Sequence, residues 1–256
     1  MTGHTDTVDV AGVVFQLSCR FPKPSFWARR HPELITTRCP DVIVRIEYEE
    51  DFRQRTDRPV GDTIPDSADV RRRGSQLLVS TGYYRAALDT QRGRVAVRIA
   101  AGFDVSGLMR TLGALWHLER GTLLIQAACF GRAASATLAC GPPAGATASA
   151  ATAGWFAVTP RADEVRVRPT PFLEGDGPLR SSGWRATTLW LPGAATVNRV
   201  LGAAPALRAL LPFIWQADRR RSAVERTLDL ATRIVTILEC REVGVTRDAA
   251  EEALVG

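Results

Sequence analysis

The chain has 256 residues, of which 45% are hydrophobic and 23% charged, the balance of one large globular domain or two small ones. No apolar run approaches the ~20 residues of a membrane helix, and the start MTGHTDTVDV has neither a basic segment nor an apolar signal core. A cytoplasmic protein without a membrane partner is therefore expected. The net charge of +6 is carried almost wholly by arginine: Lys23 is the one lysine, so no phosphate-binding lysine exists downstream of it.

The five cysteines, Cys19, Cys39, Cys129, Cys140 and Cys240, include no C-x-x-C pair and read as reduced thiols, mostly filling the core. A redox pair of Cys129 and Cys140 is the functional alternative.

In chain order, Val8 to Leu17 reads as a strand, and Phe21-Pro22-Lys23-Pro24 as a turn or extended link. Asp41 to Tyr48 is the clearest strand, with Val42, Val44, Ile46 and Tyr48 on one face and Ile43, Arg45 and Glu47 on the other. Residues 52–75, including Arg71-Arg72-Arg73, read as a surface loop. Gln76 to Ser80, Tyr83 to Leu88 and Arg94 to Ile99 read as three short strands. The spacing thus predicts an antiparallel, β-rich lobe over residues 1–103. A helix follows from Asp104 to Arg120, with Leu108, Leu112, Leu115 and Glu119 on one face. His117 within it reads as a packing residue rather than a base.

From residue 104 to 256 the pattern changes. Gly121 ends the helix, Leu123 to Cys129 is an apolar strand, Gly131-Arg132 is a turn, and Ala136 to Cys140 is a second strand. The stretch Gly141-Pro142-Pro143-Ala144-Gly145-Ala146-Thr147-Ala148 then has the place and length of a phosphate-binding P-loop, G-x-x-x-x-G-K-[ST]. Only its first glycine is kept: Ala146, Thr147 and Ala148 stand where glycine, lysine and a hydroxyl residue belong. Ala144 to Ala153 reads as a short helix, Trp155 to Val158, Val165 to Val167 and Arg185 to Leu191 as strands, and Pro169-Thr170-Pro171-Phe172 as rigid and extended. Thr196 to Gly202 and Ala206 to Trp215 read as short helices. The best helix is Ser222 to Leu238, opened by a Ser222–Glu225 capping box, with Val224, Leu228, Ala231 and Val235 toward the core. Leu238 to Val243 returns as a strand, and Arg247 to Leu254 closes as a helix.

Several of these features, in this order, resemble the HPr kinase-like proteins, which share the P-loop fold of phosphoenolpyruvate carboxykinase. They are the entry Arg120-Gly121-Thr122-Leu123-Leu124-Ile125 followed by Gln126-Ala127-Ala128, the strand Thr137-Leu138-Ala139-Cys140 running into Gly141-Pro142, the segment Pro169-Thr170-Pro171-Phe172, and the late strand Thr187 to Leu191 with the helix containing Arg226-Thr227-Leu228-Asp229-Leu230. The resemblance implies an α/β fold: a β-rich N-terminal lobe, then a P-loop core with C-terminal helices. It also implies an ATP-dependent serine kinase ancestry and a protein or peptide partner, with self-assembly as a further expectation.

The departures from that family point away from catalysis. Gln126 stands where family kinases carry a histidine, and only Asp163-Glu164 is available as the acidic segment. A P-loop binds phosphate through consecutive backbone N–H groups, a lysine and a magnesium-ligating hydroxyl. Pro142 and Pro143 have no N–H, and Ala148 offers no ligand. The expectation is therefore a catalytically degenerate protein- or peptide-binding module with no catalytic residues, no metal and no cofactor. The degenerate loop comprises Gly141, Gly145, Ala146, Thr147 and Ala148. An active phosphotransferase with an atypical P-loop is the alternative, and nucleic acid is not the expected partner. Phe213 and Trp215, with Arg219, Arg220 and Arg221, have a composition enriched at contact surfaces; core aromatics beside a solvated turn is the competing reading.

Overall fold

The computed structural model describes residues 4–19, 32–49, 68–100, 105–132, 135–141, 151–174, 183–193 and 199–244. Within them the protein is a strand-rich mixed α/β structure, with two seven-stranded sheets, both of mixed direction. The chain divides into two compact units. One takes Met1–Glu119 with Ala217–Val224, the other Arg120–Gln216 with Glu225–Gly256.

The first unit opens with a hairpin, β1 (His4–Val10) and β2 (Val13–Cys19), where the sequence reads as one strand. The apolar run hides a two-residue turn. Ala11 and Gly12 both have positive φ, 53° and 90°, the condition for the turn type that matches strand twist, and the Gly12 N–H donates to Asp9 Oδ1 at 2.6 Å. The sheet then takes β3 (Val42–Glu49), β4 (Asp69–Arg73), β5 (Gln76–Ser80), β6 (Tyr84–Asp89) and β7 (Arg94–Ala100), in the order β1-β2-β3-β7-β6-β5-β4.

Two expectations change here. The lobe is not purely antiparallel, because β2–β3 and β3–β7 are parallel pairs made through long connections. Arg71, Arg72 and Arg73 lie in β4 rather than in a loop. Gly74, at φ 60°, turns β4 back onto β5, and Val70 supplies the buried residue of the alternation. The apolar face of the sheet carries Val44, Ile46, Tyr84, Leu88, Val97 and Ile99, all at most 2% exposed.

Helix α1 (Val105–Glu119) is buried on more than one side, including Leu108, Met109, Leu112 and Trp116. It belongs to the first unit, and Glu119 at its end pairs with Arg72 of β4 at 2.5 Å. His117 is buried, at 2% exposure.

The second unit contains β8 (Leu123–Arg132), β9 (Ser135–Ala139), β10 (Ala151–Pro160), β11 (Val165–Glu174), β12 (Trp184–Gly193), β13 (Arg199–Val200) and β14 (Glu239–Gly244). The order β11-β10-β8-β9-β12-β14-β13 is completed by a β11–β12 pairing, so five of these strands close into a ring. Closure works because two strands divide an edge between partners. One edge of β12 pairs with β11 at Trp184–Ala186 and then with β14 from Thr188 onward. One edge of β8 pairs with β9 at Ala128–Arg132, while Leu124 and Ile125 meet Ile214 and Trp215.

Helix α2 (Ala203–Leu210) runs into a 3-10 turn, Leu211–Phe213. Helix α3 (Arg221–Ile237) starts one residue before the predicted Ser222 cap: the Arg220 carbonyl accepts the N–H groups of Ala223 and Val224. Its buried stripe is Ala223, Thr227, Leu230, Ala231, Ile234 and Val235, so Leu228, 37% exposed, and Val224 lie off the core side where the sequence pattern put them inside. Residues 151–153, expected to end a helix, are strand. So are Arg199 and Val200, inside the expected helix Thr196 to Gly202. The closing helix expected at Arg247 to Leu254 lies outside the described residues.

Gly93 joins β6 to β7 at φ 61°, and a Cβ there would lie 2.3 Å from the Asp41 carbonyl oxygen. Its own carbonyl accepts the Ile43 N–H at 2.7 Å, which fixes the approach of β3. Gly93→Ala is expected to cost at least about 2 kcal/mol, read as a lower urea midpoint, because strained φ and a backbone clash act together.

Candidate functional site

Strands β9, β12 and β14 run parallel side by side, with Ala139, Trp190 and Arg241 in register. The carboxyl ends of these three strands lie together at one edge of the sheet. Gly141 leaves the sheet there at φ 114°, after the Cys140 N–H has donated to the Trp190 carbonyl at 2.9 Å. Of the stretch expected to be a degenerate phosphate loop, Gly141 is described; Gly145, Ala146, Thr147 and Ala148 lie outside the described residues.

Phe213 meets this exit. A Cβ on Gly141 would sit 3.6 Å from the Pro192 side chain and 3.9 Å from Phe213 Cζ. These are ordinary contacts, so the positive φ rather than lack of space calls for glycine here. The segment carrying Phe213 lies along the line that β9 would follow if it continued. β9 stops with Ala139 opposite Ala128, and further along the same edge of β8 Ile214 bridges Ile125 while the Trp215 N–H donates to the Leu124 carbonyl at 2.9 Å.

Trp215 packs edge-to-face on Trp155, with ring centroids 5.2 Å apart and planes at 83°. Trp155 is in turn held by a bulge. Between the pairs Gly154–Leu173 and Phe156–Pro169, Trp155 alone opposes Thr170, Pro171 and Phe172. Pro169 and Pro171 have no N–H to give the ladder, and the Thr170 hydroxyl donates to the Trp155 carbonyl at 2.5 Å instead. The rigid segment read from the sequence is therefore part of β11 and is bonded to Trp155 through Thr170.

The proposed contact residues separate. Phe213 and Trp215 belong to the second unit and are half-buried; Arg219, Arg220 and Arg221 belong to the first. Arg220 is not a free cation. Its guanidinium clasps both oxygens of Asp218, a carboxylate only 3% exposed, and its N–H donates to Asp218 Oδ1 at 3.0 Å. The Asp218 hydrogen bond pushes the Arg220 pKa further up, so this charge is permanent. Sequence reading had no signal for this pair beyond the spacing of two residues.

Gln126 faces Trp155 across the β8–β10 ladder and is half-buried. Asp163 and Glu164 form the β10–β11 hairpin, where the Arg161 N–H donates to the Glu164 carbonyl at 2.8 Å. The Glu164 carboxylate accepts from Arg166 at 2.7 Å, and this bond holds its pKa below the usual range. The hairpin lies beyond the Val158–Leu123 pair, whereas β9 ends at Ala128, so these carboxylates are not beside Gly141.

Burial pushes the Cys129 thiol up to about 12 and Cys240 to about 11, and raises Cys140 as well. All five cysteines are free, and these three stay protonated at neutral pH, the reverse of a reactive thiolate. Among the described residues no group of three or more His, Cys, Asp or Glu could hold a metal ion, and no helix is long and apolar enough to cross a membrane. No protein-family model matches this chain, and no curated protein does.

Trp215→Ala is expected to lower stability by about 2–3 kcal/mol in urea unfolding, since it empties a half-buried ring site and its edge-to-face partner. Phe213→Ala, which removes contacts only with a chain exit and a proline, should cost about 1 kcal/mol or less.

Proposed function

We propose that the chain is a catalytically degenerate relative of the HPr kinase-like proteins, which binds a protein or peptide partner and transfers no phosphoryl group. The kinship is argued from order: a short strand inside a mixed sheet, a parallel neighbour beside it, and a glycine at its carboxyl end where the phosphate loop belongs.

The loss of catalysis is argued from one observation, the length of the link between β9 and β10. Eleven residues, 140–150, connect them. Ala139 and Ala153 both face Ala128, so the return distance from one strand to the other is short. If Gly141 to Ala148 formed an eight-residue phosphate loop, only two residues would remain before β10 begins at Ala151. A phosphate loop works because its N–H groups open a helix whose dipole faces the anion, and such a helix needs roughly two further turns. The missing lysine and hydroxyl act in the same direction. Each strong transition-state donor contributes on the order of 3 kcal/mol, so losing the lysine, the hydroxyl and the helix together removes the means of phosphoryl transfer.

Calorimetry with Mg-ATP and Mg-GTP tests this reading. No saturable heat is expected up to millimolar nucleotide, a limit of about −4 kcal/mol in binding free energy. The triple substitution Ala146→Gly, Thr147→Lys, Ala148→Ser should recover at most weak binding, because the link stays short. Low-micromolar binding by the unaltered chain would support an active phosphotransferase instead.

A further inference from the structure

The outward face of the first unit's sheet carries a charge pattern that the phosphate-loop reading does not use. Alternation sends Val44, Ile46, Val95, Val97, Ala86 and Leu88 inward, and their neighbours to solvent. Six of those neighbours are arginine: Arg45, Arg71, Arg73, Arg85, Arg94 and Arg98. On β3 to β7 four outward residues are acidic, Glu47, Glu49, Asp69 and Asp89, and two of the four are already engaged. Asp69 pairs with Arg71 at 2.9 Å, and Asp89 accepts the N–H groups of Gln91 and Arg92 at 3.2 and 3.0 Å in the β6–β7 turn. Arg45, Arg94 and Arg98 make no ion pair among the described residues.

At the centre of this face Ala87 and Ala96 are cross-strand partners, and Ala96 also faces Arg45 on β3. Two methyl side chains set among arginines leave a depression of about 300 Å3. Its lining includes Ala87 and Ala96, the polar Gln76 and Asp89, and Arg45, Arg92 and Arg94. Asp89 is taken up by the turn N–H groups and by Arg92, which leaves Arg45 and Arg94 to hold the carboxylates flanking a small side chain or backbone segment, each by a two-bond fork.

We propose that this face docks an acidic polypeptide segment, with its carboxylates on Arg45 and Arg94. One observation favours polypeptide over nucleic acid: no aromatic side chain lies on the described outward face for bases to stack on. The proposal deepens the binding-module reading by naming the partner's chemistry. It can fail separately from that reading, since it involves no residue of the Gly141 loop.

The test is fluorescence anisotropy with the full chain and a labelled peptide of alternating glutamate and serine. Saturable, salt-sensitive binding is expected. Arg45→Ser with Arg94→Ser should weaken it about tenfold, a discount from the full strength of two charge-assisted forks because both groups are exposed. Both side chains point to solvent, so the variant should fold, and circular dichroism checks that it does. Arg161→Ser with Arg208→Ser removes the same charge from exposed positions in the other unit and should leave the affinity unchanged. An equal loss in that control, an unaltered affinity in the first variant, no saturable binding, or tighter binding of a single-stranded oligonucleotide of equal charge would each overturn the proposal.

Discussion

The edge of β8 that is shared between β9 and the Ile214–Trp215 segment sets the geometry of the second unit. A strand has a fixed number of N–H and C=O groups on each side, and buried ones must be paired. On β8 the first half of that edge is closed by Ile214 and Trp215 and the second half by β9. This division fixes how far β9 can run, and so where Gly141 leaves the sheet and what it meets. It also places Trp215 on Trp155, which the Thr170 hydroxyl holds against the bulge of β11. The ring of five strands and the seating of the aromatic segment follow from the same hydrogen-bonding requirement.

The chemistry proposed for the chain follows from that geometry together with the length of one connection. Anion binding at the end of a strand such as β9, which has one parallel neighbour, depends on a following helix whose N–H groups and dipole face the ligand. Eleven residues, 140–150, join β9 to β10; they include no lysine or arginine, and alanine stands at position 148. The carboxylates nearest in sequence, Asp163 and Glu164, sit on a hairpin where Glu164 is already paired with Arg166. Charge suited to a ligand is instead found on the outward face of the first sheet, where arginines from separate strands surround two alanines.

Much of the framework is legible in the sequence, and what is hidden has physical causes. Strand β3 shows plainly because Val42, Val44 and Ile46 alternate with Ile43, Arg45 and Glu47. The exposed side of α3 is equally plain: Ser222, Glu225, Arg226, Asp229, Thr232, Arg233 and Thr236 are all exposed. The turn at Ala11-Gly12 is concealed because apolar residues flank it on both sides, and periodicity alone cannot break such a run. Arg71 to Arg73 reads as loop by composition and is strand by pairing with β5. The arginine-ringed depression cannot be seen in one dimension, since Arg45 and Arg94 lie far apart in the chain and meet only because β3 pairs with β7. The Asp218–Arg220 clasp depends on burial, which spacing does not report.

Hydrogen–deuterium exchange of the full chain, with and without Mg-ATP at millimolar concentration, tests most directly whether the exit at Gly141 still serves a nucleotide. A bound phosphate would draw on backbone N–H groups following Gly141 and slow their exchange, along with that of their neighbours at the ends of β9 and β12. The account predicts superimposable exchange for the peptides spanning residues 136–160 and 184–193 in the two conditions. Nucleotide-dependent protection confined to those peptides would contradict it.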